Sequence, residues 1–312
     1  MLLSSSLSPS AIFRHSVRCP LRRCFSSVTT SNESVPLHHY DLPARSEPVT
    51  STIISSHGLL GSGNNWRSIL TKPQINQQRQ IILTDLRNHG QSTHSNQNSI
   101  VSMANDIIEL TKQVRQNSPI VLLGHSLGGK MSMMASLIQP PKFQALIVAD
   151  IAPYDYSSHS HQEWSGVSHI VTSLSKLNLK NITSRDEADQ LLKPSIPDSS
   201  MRSFVLANLI QSNDNSSQKF HWRINLPVLQ SSLPELAKFS PPANVGPNRD
   251  IPALFIAGAD SQFIREAQHD SIYQWFPNAE IVVIERARHW IHADQPARTS
   301  EAINNFLIKH GL

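Results

Sequence analysis

Cysteine is nearly absent from this 312-residue sequence: Cys19 and Cys24 are the two it has, and both lie within the first 25 residues. Beyond residue 25 there is therefore no cysteine to form a disulfide, act as a nucleophile or bind a metal. The motif H-E-x-x-H is also missing, and the histidines at 159 and 161 lack carboxylates at a ligand spacing. We therefore expect no metal site and no cofactor. No apolar run reaches the roughly 18 residues of a membrane span, so we expect no transmembrane segment.

Acidic residues and lysine are missing from residues 1–25, a serine-rich stretch that contains four arginines. This composition is typical of an organellar transit peptide, and residues 23–26 resemble a mitochondrial processing site. We expect a transit peptide at 1–25 and a mitochondrial location, with the plastid as the alternative. Without these arginines, 23 basic residues face 23 acidic ones. The charge balance therefore gives no reason to expect nucleic acid or an anionic membrane as a partner.

Apolar runs typical of buried strands alternate with helical patterns from about residue 50 to 150 and again over 251–312, and we expect residues 36–150 and 251–312 to form the core. This alternation predicts an α/β fold with a mostly parallel central sheet and helices on both faces. Between 151 and 250 the strand pattern disappears, and helical patterns cover Met201–Ile210 and Leu233–Phe239. Because the strand pattern returns at Ile251, we expect residues 151–250 to form an inserted helical cap, the alternative being a separate domain.

The apolar run Ile120–Leu123 leads into Gly124–Gly128 (GHSLG), which is followed by a helical pattern. G-x-S-x-G between a strand and a helix is the arrangement of a nucleophile elbow, in which a strained turn lifts the serine clear of the backbone. The pattern predicts that Ser126 attacks an acyl carbonyl. The alternative is a glycine-rich turn with no base nearby.

An upstream strand pattern over Thr52–Ser56 runs into the loop His57–Gly61. A loop at this place can offer a backbone N–H to an oxyanion, and the second donor is the N–H of the residue after the nucleophile. The amides of Leu59 and Leu127 are therefore the expected oxyanion hole.

Candidate acids and bases follow Ser126 in the order serine, aspartate, histidine, as in α/β-hydrolases. Asp150 and Asp260 each end a strand pattern, and spacing alone does not choose between them. His289 lies nearer to the preceding strand than His292 does, which favours His289 as the base. We expect His292 to brace the loop.

These segments and several others resemble the alpha/beta-hydrolase domain-containing protein 11 family, with its bacterial esterase and yeast ethanol acetyltransferase relatives. The resemblance runs from about His57 to the C-terminus. It rests on the segments His57–Ser62, Asp85–Ser92, Gly124–Lys130, Asp150–Pro153, Gly166–His169, Trp222–Leu226, Ser261–Phe263 and His289–Asp294. Within Asp85–Ser92 the residues are expected to shape a tight turn rather than to react.

The resemblance implies an α/β-hydrolase fold, a mitochondrial setting, and Asp150 rather than Asp260 as the acid. It also implies that Ser261 lines the site, and His57 is a further candidate for the lining. In one departure, Arg288 stands where relatives usually carry glycine before the catalytic histidine. If that position needed a positive φ, an arginine there would be strained.

The combined expectation is a serine acyl hydrolase that cleaves a small acyl ester or thioester through an acyl-enzyme on Ser126. One alternative is an alcohol O-acyltransferase, in which an alcohol replaces water in the second step. Another is a non-catalytic binding protein on a retained hydrolase fold.

Overall fold

The computed structural model describes residues 34–114, 118–158, 162–212 and 219–312. The expected transit peptide, both cysteines and the histidines at 159 and 161 lie outside these ranges. Within them, no helix has the length and apolar character that crossing a bilayer requires. The same ranges contain no cluster of three or more His, Cys, Asp or Glu side chains placed to hold a metal ion.

Strands and helices alternate through most of the described chain. The strands are β1 (His39–Leu42), β2 (Ser51–Ser56), β3 (Arg79–Thr84), β4 (Ile120–His125), β5 (Ala145–Ala149), β6 (Leu209–Gln211), β7 (Phe220–Trp222), β8 (Ala253–Gly258) and β9 (Ala279–Ile284). The helices are α1 (Arg67–Leu70), α2 (Pro73–Asn76), α3 (Ile100–Leu110), α4 (Leu127–Ile138), α5 (Gln162–Lys176), α6 (Arg185–Leu192), α7 (Ser199–Leu206), α8 (Leu226–Leu236), α9 (Glu266–Trp275), α10 (Ile291–Asp294) and α11 (Pro296–Lys309). Short 3₁₀ helices cover Gly63–Trp66, Pro140–Lys142 and Leu179–Asn181.

Seven strands form the central sheet, in the order β1-β3-β2-β4-β5-β8-β9. The edge strand β1 runs antiparallel to β3, and the other neighbours are parallel. The predicted mostly parallel α/β architecture is therefore confirmed.

Both faces of the sheet are buried, because successive side chains of a strand point to opposite faces. Ile54 and Leu122 pack on one face with residues of α3, α4 and α9. Ile53 and Val121 pack on the other face with residues of α1, α2 and α11. The near-continuous apolar strands seen in the sequence are the direct consequence of this two-sided burial.

The carboxyl ends of the parallel strands meet along one edge of the sheet. Ser56 of β2 pairs with Gly124 of β4, and Ala149 of β5 pairs with Ile256 of β8. The loops that follow β2, β4, β5, β8 and β9 therefore start at the same edge, where ligands gather in open α/β sheets.

Residues 151–250, here called the insertion, carry α5 to α8 and the two-stranded antiparallel sheet of β6 and β7. The helix expected over Met201–Ile210 ends at Leu206, and the chain from Leu209 pairs with β7 instead. Three-residue strands are too short to give a period-2 pattern, which is why the sequence did not reveal them.

Candidate active site

Ser126 occupies a sharp turn between β4 and α4, with φ 52° and ψ −115°. Such a backbone is strained for a residue with a side chain, and it persists where the surrounding structure enforces it. A Cβ on Gly124 would lie 2.2 Å from the carbonyl oxygen of Gly128, and one on Gly128 would lie 2.6 Å from the carbonyl oxygen of His57. Glycine at both positions is what lets α4 start this close to the strands.

Asp150 and His289 are joined by a hydrogen bond of 2.8 Å between Oδ2 and Nδ1. Asp150 is fully buried, and its carboxylate also accepts hydrogen bonds from the N–H of Gly258, at 2.9 Å, and from the hydroxyl of Ser261. With Nδ1 donating to the carboxylate, Nε2 of His289 is the nitrogen available to accept a proton. The imidazole is 12% exposed, so solvent does not dominate its surroundings.

Ser126 and His289 line one pocket, whose space of about 620 Å³ is partly open to solvent. Four of the core residues that line it are here called the core wall: Leu59, Ser126, Leu127 and His289. The residues that the helices of the insertion contribute are apolar and are here called the insertion wall: Trp164, Val167, Ile170, Met201, Phe204 and Leu236. A larger groove, whose space of about 1420 Å³ is partly open to solvent, adjoins this pocket, and Ile170, Met201, Phe204 and Trp290 line both spaces.

The amides of Leu59 and Leu127 both belong to residues of the core wall. Neither N–H donates to an acceptor in the described part of the chain. Leu127 is the first residue of α4, where a backbone N–H has no partner within the helix. The N–H of Gly128 donates to the carbonyl oxygen of His57 at 3.1 Å, which ties the elbow to the loop that carries Leu59.

His125 supports the backbone of the loop that carries His289. Its Nε2 donates to the carbonyl oxygen of His289 at 2.8 Å, and the two rings lie 4.7 Å apart. Burial lowers the pKa of His125 well below its usual value, and the neighbouring His289 and His292 add to that effect. A neutral His125 donates one hydrogen bond and places no second positive charge beside His289.

His292 lies away from Asp150 and packs between the rings of Trp66 and His125, each 4.9 Å from it. Burial lowers its pKa to about 4. Its Nδ1 is buried without a hydrogen-bond partner in the described residues. The geometry thus brings His289, not His292, to the carboxylate.

The other candidate residues occupy different positions. Ser261 contacts Asp150 directly. His57 does not line the pocket of Ser126: its Nδ1 donates to the carbonyl oxygen of Gly58 at 2.7 Å, and its Nε2 accepts from the N–H of Leu86 at 3.0 Å. Asp260 is exposed, and its N–H donates to the carbonyl oxygen of Ala287 at 2.9 Å.

Arg288 does not have the positive φ that a glycine at its position would suggest. The positive φ of this loop falls on Arg286, at 59°. The guanidinium of Arg288 lies 3.3 Å from the carboxylate of Asp294 and 3.9 Å from that of Asp198 in the insertion. The departure from the family pattern therefore introduces no backbone strain at Arg288.

Lys130 is a residue that the sequence reasoning did not single out for the site. It is buried on α4 and lines the pocket, and its Nζ donates to the carbonyl oxygens of Leu236, Ala237 and Lys238 at 3.1, 2.5 and 3.1 Å. Burial lowers its pKa to about 7. Since the three protons of the ammonium serve three carbonyls at the end of α8, the side chain joins the core to the insertion. The available signal was a lone lysine in an otherwise uncharged helix.

Comparisons with known proteins show the family to which the chain belongs. The model of the alpha/beta hydrolase fold family matches residues 52–296. The mouse protein named sn-1-specific diacylglycerol lipase ABHD11 is 31% identical over 259 residues, which are 82% of this chain and 80% of that protein. A probable alcohol acetyltransferase of Saccharomyces cerevisiae is 32% identical over 83% of this chain and 77% of its own length. The solved structure of a marine microorganism esterase has a TM-score of 0.78 and 32% identity, covering 88% of this chain and all of that one.

Proposed function

This chain belongs to the alpha/beta hydrolase fold family and, within it, to the family of the ABHD11 lipases, and from that premise we propose that it is a serine acyl hydrolase with Ser126 as its nucleophile. His289 is the general base and Asp150 the residue that orients it. The observation that carries the proposal is the 2.8 Å hydrogen bond between Asp150 and His289, beside a pocket that His289 shares with Ser126. The order and the roles are those of a serine–histidine–aspartate triad.

The first step forms an acyl-enzyme. The hydroxyl oxygen of Ser126 attacks the acyl carbonyl carbon while Nε2 of His289 takes the hydroxyl proton. The amides of Leu59 and Leu127 donate to the oxyanion of the tetrahedral intermediate. This is the place where preorganised donors lower the barrier most. The intermediate collapses, and His289 returns the proton to the departing alkoxide or thiolate.

Water then completes the cycle. His289 takes a proton from water as its oxygen attacks the acyl carbon. The second tetrahedral intermediate expels Ser126, which recovers its proton from His289. Asp150 keeps Nδ1 protonated throughout, so Nε2 is always the reacting nitrogen. The cycle consumes one ester or thioester and one water and requires no cofactor.

The insertion acts as a cap in this proposal. Its wall of the pocket is apolar, which suits the acyl chain of a small ester or thioester and excludes water from the reacting centre. The sn-1-specific diacylglycerol lipases among the relatives are consistent with an ester substrate.

The test is labelling with a fluorophosphonate probe, which reacts with an activated serine. We expect wild-type protein to be labelled and to cleave a p-nitrophenyl ester, and Ser126→Ala to do neither. Ser231→Ala, which alters an exposed serine of the insertion, is the matched control and should behave as wild type. Normal labelling of Ser126→Ala would refute the nucleophile, and no labelling of folded wild-type protein would favour the non-catalytic binding protein.

An alcohol O-acyltransferase is the second candidate function, and the yeast relative named a probable alcohol acetyltransferase favours it. The two activities share the acyl-enzyme and differ in the nucleophile that resolves it. We expect hydrolysis to dominate, because water is present at far higher concentration than any alcohol. The test is incubation with a short-chain acyl donor and graded ethanol, with free acid and ethyl ester quantified. More ester than acid at low millimolar ethanol would favour the transferase.

We also propose that residues 1–25 direct the protein to mitochondria, the plastid being the alternative. The support is the composition of this stretch, which has four arginines and no acidic residue. N-terminal sequencing of the protein from its native source tests this: cleavage near residue 25 is expected, and an intact Met1 on the abundant form would contradict it.

A further inference from the structure

Leu60, the residue after the proposed oxyanion donor Leu59, is held at its N–H, its carbonyl and its side chain. It has a positive φ of 65°, which a leucine does not adopt without support from its surroundings. One of the supporting contacts comes from the core and the other two come from the insertion.

The core contact is made by His89, in the turn after β3. Its Nε2 accepts the N–H of Leu60 at 3.1 Å, and its Nδ1 donates to the carbonyl oxygen of Arg87 at 2.9 Å. The ring is fully buried, and burial lowers its pKa to about 3. His89 therefore remains neutral at the pH of the cell, and its Nε2 stays an acceptor for Leu60.

The polar contact from the insertion is made by Asn208, between α7 and β6. Its Nδ2 donates to the carbonyl oxygen of Leu60 at 2.8 Å. The backbone of Asn208 is itself fixed, because its N–H donates to Val205 and its carbonyl oxygen accepts from Arg223. The side chain is buried, so solvent offers the Leu60 carbonyl no equal replacement.

The side chain of Leu60 belongs to the apolar core of the insertion rather than to that of the sheet. It is 5% exposed and packs in a cluster with residues of α5 and α8, among them Val171 and Leu229. A residue of a core loop is thus embedded in the insertion.

These contacts restrict the backbone that follows the Leu59 amide. A peptide unit is planar, so the bond from Leu60 N–H to His89 holds the plane between Leu59 and Leu60. The bond from Asn208 holds the next plane. The plane that carries the Leu59 N–H is held at its other end, because the carbonyl oxygen of Gly58 accepts from Nδ1 of His57 at 2.7 Å and from the N–H of Gly61 at 3.0 Å. The torsions at Leu59 join this plane to the one that His89 holds, so the contacts at Leu60 limit how far the amide can turn.

We propose that Asn208 and His89 are positioning residues that aim the Leu59 amide at the oxyanion, so that the insertion sets the rate of acyl transfer as well as the choice of acyl group. The proposal rests on the proposed function, in which Leu59 is an oxyanion donor. Asn208 touches no substrate and acts through Leu60.

Asn208→Ala is the first test, with Asn181→Ala, an exposed asparagine of the insertion, as the matched control. Active sites are counted with a fluorophosphonate, so that a misfolded fraction does not enter kcat. Loss of one oxyanion donor costs about 10²–10³-fold in kcat, and a misaimed donor costs less. We expect Asn208→Ala to lower kcat about 10–100-fold with KM within about twofold, on the basis of the same magnitudes. A trifluoromethyl ketone, whose adduct carries the oxyanion, should bind more weakly by a similar factor.

Asn208→Asp is the second test and does not depend on the stability of the alanine variant. The ionised carboxylate has no proton to give to Leu60, whereas the protonated acid does, and burial raises the pKa of the introduced carboxyl. The ratio of variant to wild-type kcat should therefore rise as the pH falls. A purely structural role for Asn208 predicts a ratio that does not change with pH.

The outcomes separate this proposal from the one it rests on. Unchanged kcat per active site in Asn208→Ala, or a loss confined to KM, overturns the positioning role while Ser126 remains the nucleophile. A flat pH ratio in Asn208→Asp overturns it as well. Full activity of Ser126→Ala overturns the proposed function first, and this inference falls with it.

Discussion

The core wall and the insertion wall of the pocket differ in the chemical groups that they present. The core wall presents backbone amides and two polar side chains at the ends of parallel strands. The insertion wall presents apolar side chains from helices α5, α7 and α8. The arrangement of groups on the core wall thus depends on the backbone conformation. The shape of the insertion wall depends on the volume and shape of its side chains.

The difference shows in the tolerance expected of each wall. Ser126 and Asp150 both have a φ of 52°, and a Cβ on Gly124 or Gly128 would overlap carbonyl oxygens. Few substitutions fit such a backbone. On the insertion wall, we expect changes in side-chain volume to alter the space offered to a ligand more than the positions of Ser126 and His289. We therefore expect changes in the core wall to act on kcat and changes in the insertion wall to act on acyl-group preference.

The largest effect is expected at the carboxylate behind the core wall. Asp150→Asn should lower kcat by about 10⁴-fold, since the amide favours the wrong tautomer of His289. Asp260→Asn is the matched control and should stay near wild type, because Asp260 is exposed and its contact in the loop is made by its backbone N–H. Steady-state kinetics with a p-nitrophenyl ester gives both values. An active Asp150→Asn beside an inactive Asp260→Asn would reverse the assignment.

The core wall is also the part that the sequence predicted best. Strand patterns ending at Ser56, Leu123 and Ala149 placed three loops at one sheet edge, and the motif at Gly124–Gly128 marked the turn between β4 and α4. These signals are local, because a buried strand and a glycine-rich turn each leave a pattern within a few residues. The prediction of the fold class is confirmed for the same reason.

The contacts between the core and the insertion were not predicted, because they join residues far apart in the chain. Asn208 and Leu60 are separated by 148 positions, and Lys130 and Leu236 by 106. No periodicity records such a pairing. The turn that carries His89 was expected to be structural, and its hydrogen bond to Leu60 appears only when β2 and β3 lie side by side.

Lys130, at the junction of the two walls, gives the next effect in size. Its pKa is about 7 in the folded protein and near 10.5 in the unfolded chain. Between these values the unfolded chain binds more protons, so the free energy of unfolding should rise with pH, by at most about 1.4 kcal/mol per pH unit. Lys130→Met should remove this rise, which denaturant unfolding at pH 7, 8 and 9 measures.

Lys238→Met is the control for that experiment, because the Lys238 side chain is 43% exposed and lies just past the end of α8, whose last carbonyl oxygen Lys130 contacts. It should retain the pH dependence of the wild type. An equal slope in wild type and Lys130→Met would show that the buried ammonium does not lose its proton in this range. The junction would then be a fixed charge at every working pH.

On the insertion wall, Phe204→Ala should change preference rather than rate. Phe204 is one of four residues that line both the pocket and the larger groove, so its truncation should widen the connection between the two spaces. One methylene in an apolar pocket changes kcat/KM by about 10-fold or more. The kcat/KM for a long acyl ester, divided by that for a short one, should therefore rise by about that factor in the variant. The kcat for an acetyl ester should stay near wild type, as should both values in Leu191→Ala, an exposed control in α6. A large fall in kcat for the acetyl ester would contradict the expectation that the insertion wall sets acyl-group preference and the core wall sets kcat.

The smallest effect is expected at Arg288, where the core meets the insertion at the surface. Its side chain is 64% exposed, its guanidinium lies 3.9 Å from the carboxylate of Asp198 in the insertion, and exposed ion pairs are worth about 0–1 kcal/mol. Because its φ is not positive, glycine relieves no strain there and adds only flexibility. Arg288→Gly should therefore change the free energy of unfolding by about 1 kcal/mol or less and leave kcat within about twofold. Urea unfolding and ester kinetics on one preparation measure both. A gain in stability above that limit would mean that this loop carries strain after all, and a large loss of kcat would mean that the exposed rim, like the buried contact at Asn208, helps to set the rate.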